Sequence, residues 1–162
     1  FKEADESLQF PLSRLILEGP KDELDLTINT QPAIFLISYS IFNVVKKQFN
    51  INLNKAKYFA GHSLGEYTAL VCGGSLTIER AAYLLHERGK SMQDSVPLGQ
   101  GAMMAILGMT IHEVEDEINL LPTGEICEIA NDNTNGQVVV SGKKKIIEEF
   151  NPCTQGNDTL VE

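Results

Sequence analysis

Gly61-His62-Ser63-Leu64-Gly65 is the segment of this 162-residue chain whose residue types and spacing could do chemistry. It is a G-x-S-x-G arrangement. The apolar run Lys57-Tyr58-Phe59-Ala60, which predicts a short strand, leads into it, and a helical pattern follows it through Cys72 to Gly73-Gly74. A serine between a strand and a helix sits on a sharp turn in a strained backbone conformation, and its neighbours Gly61 and Gly65 must be small. Ser63 Oγ would then stand exposed near the positive end of the following helix, with the backbone N–H of Leu64 aimed where a tetrahedral oxyanion would form. The chemistry is nucleophilic attack on an acyl carbon. The motif alone also fits a structural glycine-rich turn; its placement between strand and helix favours the nucleophile.

A nucleophilic serine needs a general base, and the chain offers His62, His86 and His112. His62 adjoins Ser63 in a tight turn, where successive side chains diverge, so it reads as a packing or cleft-lining residue. His86 and His112 fall on helical patterns and read as surface histidines. None is a convincing base. Arg88, in Glu87-Arg88-Gly89-Lys90, has two readings. It is a cation favoured by the dipole near a helix C-terminus, or a fork that grips a substrate carboxylate through paired hydrogen bonds. Local pattern alone favours the first.

The elements that must position these residues form two regions. Up to about residue 98 the pattern is helix-rich. Gln31-Pro32 predicts a helix start, because proline fits a first turn, and Ile34, Ile37, Ile41 and Val44 follow at helical spacing. Phe35, Tyr39 and Phe42 broaden that face until the helix reads as buried. Gly73-Gly74 caps the helix after the serine. Thr77 caps the next, whose Ile78, Ala81, Leu85 and Met92 share a face. From Gly99 onward the pattern becomes strand (102–107), helix (111–120), strand (125–130), strand (137–141) and helix (143–150). This βαββα order is one strand short of a ferredoxin-like unit.

Composition narrows the partners. Apolar residues make up 43% and charged residues 22%, as in a globular domain, and the net charge is −9. So acidic a chain has no broad field for nucleic acid or anionic lipid, and neither is expected as a partner. Cys72, Cys127 and Cys153 are odd in number and far apart, which excludes a disulfide framework and a zinc site and fits a reducing, cytoplasmic compartment. The uncharged stretch between Asp25 and Lys46 contains Asn29, Thr30, Gln31, Ser38, Ser40 and Asn43, too polar for a membrane span. The opening Phe1-Lys2-Glu3-Ala4-Asp5-Glu6 is acidic and helix-like, unlike a signal peptide.

The run Gly61-His62-Ser63-Leu64-Gly65-Glu66-Tyr67-Thr68-Ala69-Leu70 resembles the nucleophile motif of bacterial malonyl-CoA:acyl carrier protein transacylases. Glu18-Gly19-Pro20, Asn29-Thr30-Gln31-Pro32-Ala33, Arg88-Gly89-Lys90 with Met92-Gln93, Val96-Pro97, Gly101-Ala102-Met103 and Asn133 with Gly136-Gln137-Val138-Val139 are similar to family blocks in the same order. The resemblance covers about residues 1–150. It implies an α/β fold, with an α/β-hydrolase-like acyltransferase core (1–98) and an inserted ferredoxin-like small subdomain (99–150), both incomplete, and leaves 151–162 unassigned.

The resemblance also assigns roles. Ser63 matches the serine that becomes malonylated, Leu64 supplies an oxyanion N–H, and Arg88 matches the arginine that holds the malonyl carboxylate. Met92 and His62 line the substrate site, and Asn133 and Asn131 match residues at its edge. The implied activity is that of an acyltransferase of fatty-acid synthesis, moving malonyl from malonyl-CoA to acyl carrier protein without cofactor or metal, as a monomer. Lys143-Lys144-Lys145 is expected to help dock the acidic carrier. No position matches the family's general-base histidine or its N-terminal Gly-Gln-Gly block, for which Gly99-Gln100-Gly101 should not be mistaken. Asp132 and Asn135 stand where an aromatic residue and a proline are common. The expectation is that both ends of the enzyme are missing and that this chain alone does not turn over. The alternatives are a serine esterase, a polyketide-type acyltransferase domain, or a non-catalytic fragment that binds CoA or carrier protein.

Overall fold

The computed structural model describes residues 1–49, 51–97 and 99–150 and the strand Thr159–Val161. Cys153 and most of the stretch left unassigned from sequence lie outside the described residues. The chain is mixed α/β and divides into two compact units, Phe1–Ser95 and Val96–Glu162. The division falls a few residues ahead of the boundary read from sequence.

The first unit contains α1 (Lys2–Leu8), α2 (Leu12–Glu18), α3 (Lys21–Leu24), α4 (Thr27–Gln48), α5 (Gly65–Cys72) and α6 (Ile78–Ser95). Helix α4 begins at Thr27, ahead of the Gln31-Pro32 start expected from sequence. The Thr30 hydroxyl bonds the Leu24 and Leu26 carbonyls at 2.6 and 3.0 Å, and the Asn29 amide donates to the Glu23 carbonyl at 2.9 Å. These bonds tie the first turn of α4 back to α3. Pro32 inside the helix then forfeits one backbone bond, which the turn already formed can bear. By length and composition α4 is long and apolar enough to cross a membrane, contrary to the expectation from sequence. Its apolar residues Ala33, Phe35 and Leu36 belong to the unit's core, together with Ala4, Leu12, Val71, Ala81, Ala82 and Leu85. Full burial of a leucine or phenylalanine contributes roughly 1.5–3 kcal/mol.

Residues 57–60, expected as a strand, form none. All are exposed, Tyr58 to 87%, and a strand persists only where a neighbour takes its N–H and C=O groups. The segment is held instead by side chains. Phe35, Tyr39 and Phe42 stack in series along α4, and Phe59 meets the Phe42 ring edge-on at 6.1 Å between centroids.

The α4–α6 contact is closer than side chains normally allow. A Cβ on Gly89 of α6 would lie 2.6 Å from Ile28 Cα and 2.6 Å from the Thr27 carbonyl oxygen. Gly89 is buried with Ala81, Ala82 and Leu85, while Met92, expected on that core face, is 48% exposed.

The second unit runs β1 (Gly101–Leu107), α7 (Ile111–Asn119), β2 (Cys127–Thr134), β3 (Gln137–Lys143), α8 (Lys144–Glu149) and β4 (Thr159–Val161). The sheet order is β2-β3-β1-β4 and each pairing is antiparallel. Strand β4 corrects the unassigned reading of 151–162: three residues carry too short a pattern to be read, and pairing along β1, Met103 opposite Val161, defines them. Alternation puts Ala102, Met104 and Ile106 of β1 with Val138 and Val140 of β3 in a core closed by Val114 and Ile147. Helix α7 opens with a capping box in which Glu113 accepts from the Thr110 N–H at 2.7 Å and its own N–H donates to Thr110 Oγ1.

Two outcomes are expected. In an open helix Gly89→Ala would stabilise by up to about 1 kcal/mol; against the α4 backbone it should cost about 2 kcal/mol in urea unfolding. An unchanged or raised midpoint would mean that the helices do not pack this closely. The Thr110 N–H and then the Thr110 hydroxyl hold the Glu113 carboxyl below the ordinary glutamate range. A lowered folded pKa gives stability that is present above the ordinary value, about 4.3, and lost as pH falls through the folded one. Amide protection of α7 should therefore decline in that acid window in the wild type and change little in Glu113→Gln.

Candidate active site

Ser63 has φ +52°, in the left-handed region that non-glycine residues seldom enter. The strained turn expected of a nucleophilic serine is thus present although no strand feeds it. The Gly65 N–H bonds the His62 carbonyl at 2.8 Å across the turn, and α5 starts at Gly65. Gly61 is required by contact: a Cβ there would fall 2.0 Å from the Gly65 carbonyl oxygen. The same reason does not extend to Gly65, where a Cβ meets nothing within 4 Å. The N–H groups of Gly65, Glu66 and Tyr67 are taken by the carbonyls of His62, Ser63 and Leu64. That of Leu64 bonds no backbone carbonyl among the described residues.

Ser63 is exposed, and its Oγ accepts a hydrogen bond from Arg88 Nη2 at 3.0 Å. Arg88 lies in the body of α6, not in its last turn, so the helix-dipole reading does not apply. Its other nitrogen, Nη1, donates to Gln31 Oε1. Gln31 is only 4% exposed, and its Nε2 donates to Thr27 Oγ1 at 3.1 Å and to Met92 Sδ at 3.2 Å. Sequence reasoning misses Gln31, which reads as a helix start beside Pro32. The available signal is paired spacing: Thr27 and Gln31 on α4, and Arg88 and Met92 on α6, are each i, i+4 and so each share a helix face. Gly89, beside Arg88, brings those faces together.

A cleft of about 490 Å³ opens beside the turn, with Ile34 and Ser38 of α4, His62, Ser63 and Leu64, and Thr68 and Cys72 of α5 in its walls. Burial raises the Cys72 thiol pKa, which disfavours its reactive thiolate form. His62 is exposed at the turn, and His86 is partly buried with Nδ1 3.7 Å from Glu87.

The remaining candidates belong to the second unit. His112 is exposed on α7, its Nδ1 3.1 Å from Glu115. Asn131 and Asn133 are half-buried on β2 beside its irregular pairings with β3, and Asn133 Oδ1 is buried without a partner among the described residues. Lys143, Lys144 and Lys145 each have a carboxylate within reach, from Glu125 at 3.7 Å, Glu148 at 3.8 Å and Glu149 at 3.9 Å. The run expected to dock a carrier therefore has its charge offset locally.

Residues 2–159 match the family model described as the acyl transferase domain. The chain is 42% identical over 151 residues to the malonyl CoA-acyl carrier protein transacylase of Bacillus subtilis, covering 91% of this chain and 46% of that protein. It superposes on the acyl-carrier-protein-S-malonyltransferase of Bartonella henselae with TM-score 0.88 and 39% identity, over 99% of this chain and 52% of the other. A malonyl-transacylase solved in complex with its type II polyketide synthase acyl-carrier protein aligns with TM-score 0.82 and 38% identity, over 93% of this chain and 48% of the other. The chain thus spans about half the length of the curated relatives it matches.

The two glycines of the turn should respond oppositely to alanine. Gly61→Ala is expected to destabilise the first unit by about 3 kcal/mol, because backbone must move to admit the Cβ. Gly65→Ala should stay within about 1 kcal/mol of wild type. Chemical denaturation of both variants checks this, and equal losses would contradict the turn geometry.

Proposed function

This chain belongs to the acyl transferase domain family, and we propose that it carries out transfer of a malonyl group from malonyl-CoA to the phosphopantetheine thiol of acyl carrier protein. The observation that carries the reading is the guanidinium of Arg88 held 3.0 Å from Ser63 Oγ. Ser63 attacks the thioester carbonyl, the tetrahedral oxyanion is met by the Leu64 N–H, and CoA leaves as its thiol. Arg88 pairs with the malonyl carboxylate and orients the ester on Ser63. The carrier's thiol then attacks that ester and Ser63 is released. Arg88 stays charged and cannot accept the serine's proton, so its part is orientation and charge stabilisation.

The same cation supplies selectivity. An acyl chain without a carboxylate leaves the guanidinium unpaired in a partly desolvated site. A plain serine esterase has no use for such a grip, which sets the malonyl reading above that alternative. His62, in the wall of the cleft beside Ser63, and Met92, beside Gln31, fit the substrate side of Ser63. No resident cofactor is proposed. For the architecture, the left-handed turn at Ser63 running directly into α5 supports part of an α/β-hydrolase-like core, although the described elements of the first unit are helical. The βαββαβ order with sheet order β2-β3-β1-β4 supports a ferredoxin-like subdomain.

Intact-mass measurement of the purified protein with malonyl-CoA tests the reading. The mass should rise by one malonyl group in wild type and not in Ser63→Ala. Arg88→Ala should lower the preference for malonyl over acetyl transfer roughly 100-fold. A wild-type protein that never gains the adduct, or an Arg88→Ala variant that keeps its preference, would refute it.

A further inference from the structure

Arg88 is held by Gln31, and the other end of the Gln31 amide has partners of its own. A buried amide must satisfy both its oxygen and its NH₂ group. The guanidinium offers only donors and a thioether only an acceptor, whereas the Thr27 hydroxyl can do either. One orientation of the Gln31 amide suits both neighbours: Oε1 toward Arg88 Nη1, and Nε2 toward Met92 Sδ at 3.2 Å. The flipped amide would set N–H against N–H at Arg88 and oxygen against sulfur at Met92. Thr27 Oγ1, 3.1 Å from Nε2, accepts in the first orientation and could donate in the flipped one, so it does not discriminate. The sulfur does.

We propose that Met92 is a positioning residue for the carboxylate-binding arginine. Acting through Gln31, its sulfur fixes the pose of the Arg88 guanidinium and with it the preference for carboxylated acyl groups. The proposal rests on the malonyl-transfer reading for its consequence in activity, but not for its geometry. Met92 is 48% exposed and outside the buried core, so filling a core space does not account for it. Its place on α6, one turn from Arg88 and facing Gln31 across the close approach at Gly89, makes the contact possible.

The test compares Met92→Leu, which keeps the volume and removes the acceptor, with Met92→Gln, whose carbonyl oxygen restores one. Met92→Leu is expected to lower the malonyl-over-acetyl ratio of kcat/KM about tenfold, with a rise in KM for malonyl-CoA. Met92→Gln should recover most of that loss. An activity-independent readout is the ¹⁵N NMR signal of the Arg88 guanidinium. Its Nη–H resonances should be resolved in wild type and Met92→Gln and averaged by free rotation in Met92→Leu. Equal loss of malonyl and acetyl transfer in Met92→Leu, or failure of Met92→Gln to recover the ratio, would overturn the proposal in favour of direct contact or packing. If the wild type transfers no malonyl, the functional reading fails and the NMR comparison alone decides: resonances that stay resolved in Met92→Leu refute the positioning role. Should Met92→Leu not fold, Gln31→Glu serves. Its carboxylate cannot donate to the sulfur and would pair with Arg88 in the substrate's place, so the ratio should fall at least tenfold; an unchanged ratio counts against the relay.

Discussion

The close approach of α4 and α6 at Gly89 is the constraint on which the rest of the first unit depends. Helix axes normally lie 8–10 Å apart because side chains intervene; at Gly89 the α6 backbone meets the α4 backbone with no room for a Cβ. Arg88 and Met92 are carried with it onto the face of α4 that holds Thr27 and Gln31. A guanidinium brought alongside a buried amide can bond it at one end and reach Ser63 with the other. Without the approach, Arg88 is an ordinary helical cation in solvent.

The serine is delivered to the same place by a different set of forces. A residue at φ +52° costs of order 1–3 kcal/mol, and such strain persists only where its surroundings over-determine it. Here the N–H groups that open α5 bond the turn's own carbonyls, and Gly61 lets Gly65 close over it. The stacked Phe35, Tyr39 and Phe42 anchor Phe59 just ahead of the turn. Arg88 closes the arrangement from α6.

What could be read from the chain follows from how local each feature is. The Gly61-to-Gly65 motif announces a strained serine because Gly61 answers to a backbone carbonyl four residues away. The elements of the second unit are legible for the same reason, alternation in β1 and β3 and periodicity in α7. Residues 57–60 carry an apolar strand pattern, yet strand formation is a property of pairs, and no described partner runs beside them. The start of α4 was obscured because Pro32 is the conspicuous signal, while the residues that nucleate the helix, Thr30 and Asn29, do so through bonds to the preceding α3. Strand β4 needs β1 to define it. Arg88 is the instructive case: its local context pointed to a helix end, and only a resemblance spanning many motifs gave it a role at the serine. Gln31 has no local signature, because its importance lies in a partner distant in sequence.

Under the proposed malonyl transfer, one arginine would serve both the free site and an occupied one. Its two hydrogen bonds use only part of the guanidinium's donors, and they differ in kind. The bond to Gln31 is to a buried amide fixed at both ends, whereas the bond to Ser63 is to an exposed hydroxyl free to rotate. In that proposal a carboxylated acyl group arriving at Ser63 would compete with the hydroxyl for Nη2 and leave Nη1 on Gln31 undisturbed. The guanidinium plane is thereby set before the acyl group arrives, and the entropy of ordering a long, flexible side chain is lost on folding and not on binding. In this scheme the buried amide is the fixed support and the serine contact the exchangeable one, an asymmetry that follows from the 4% exposure of Gln31 and the open position of Ser63.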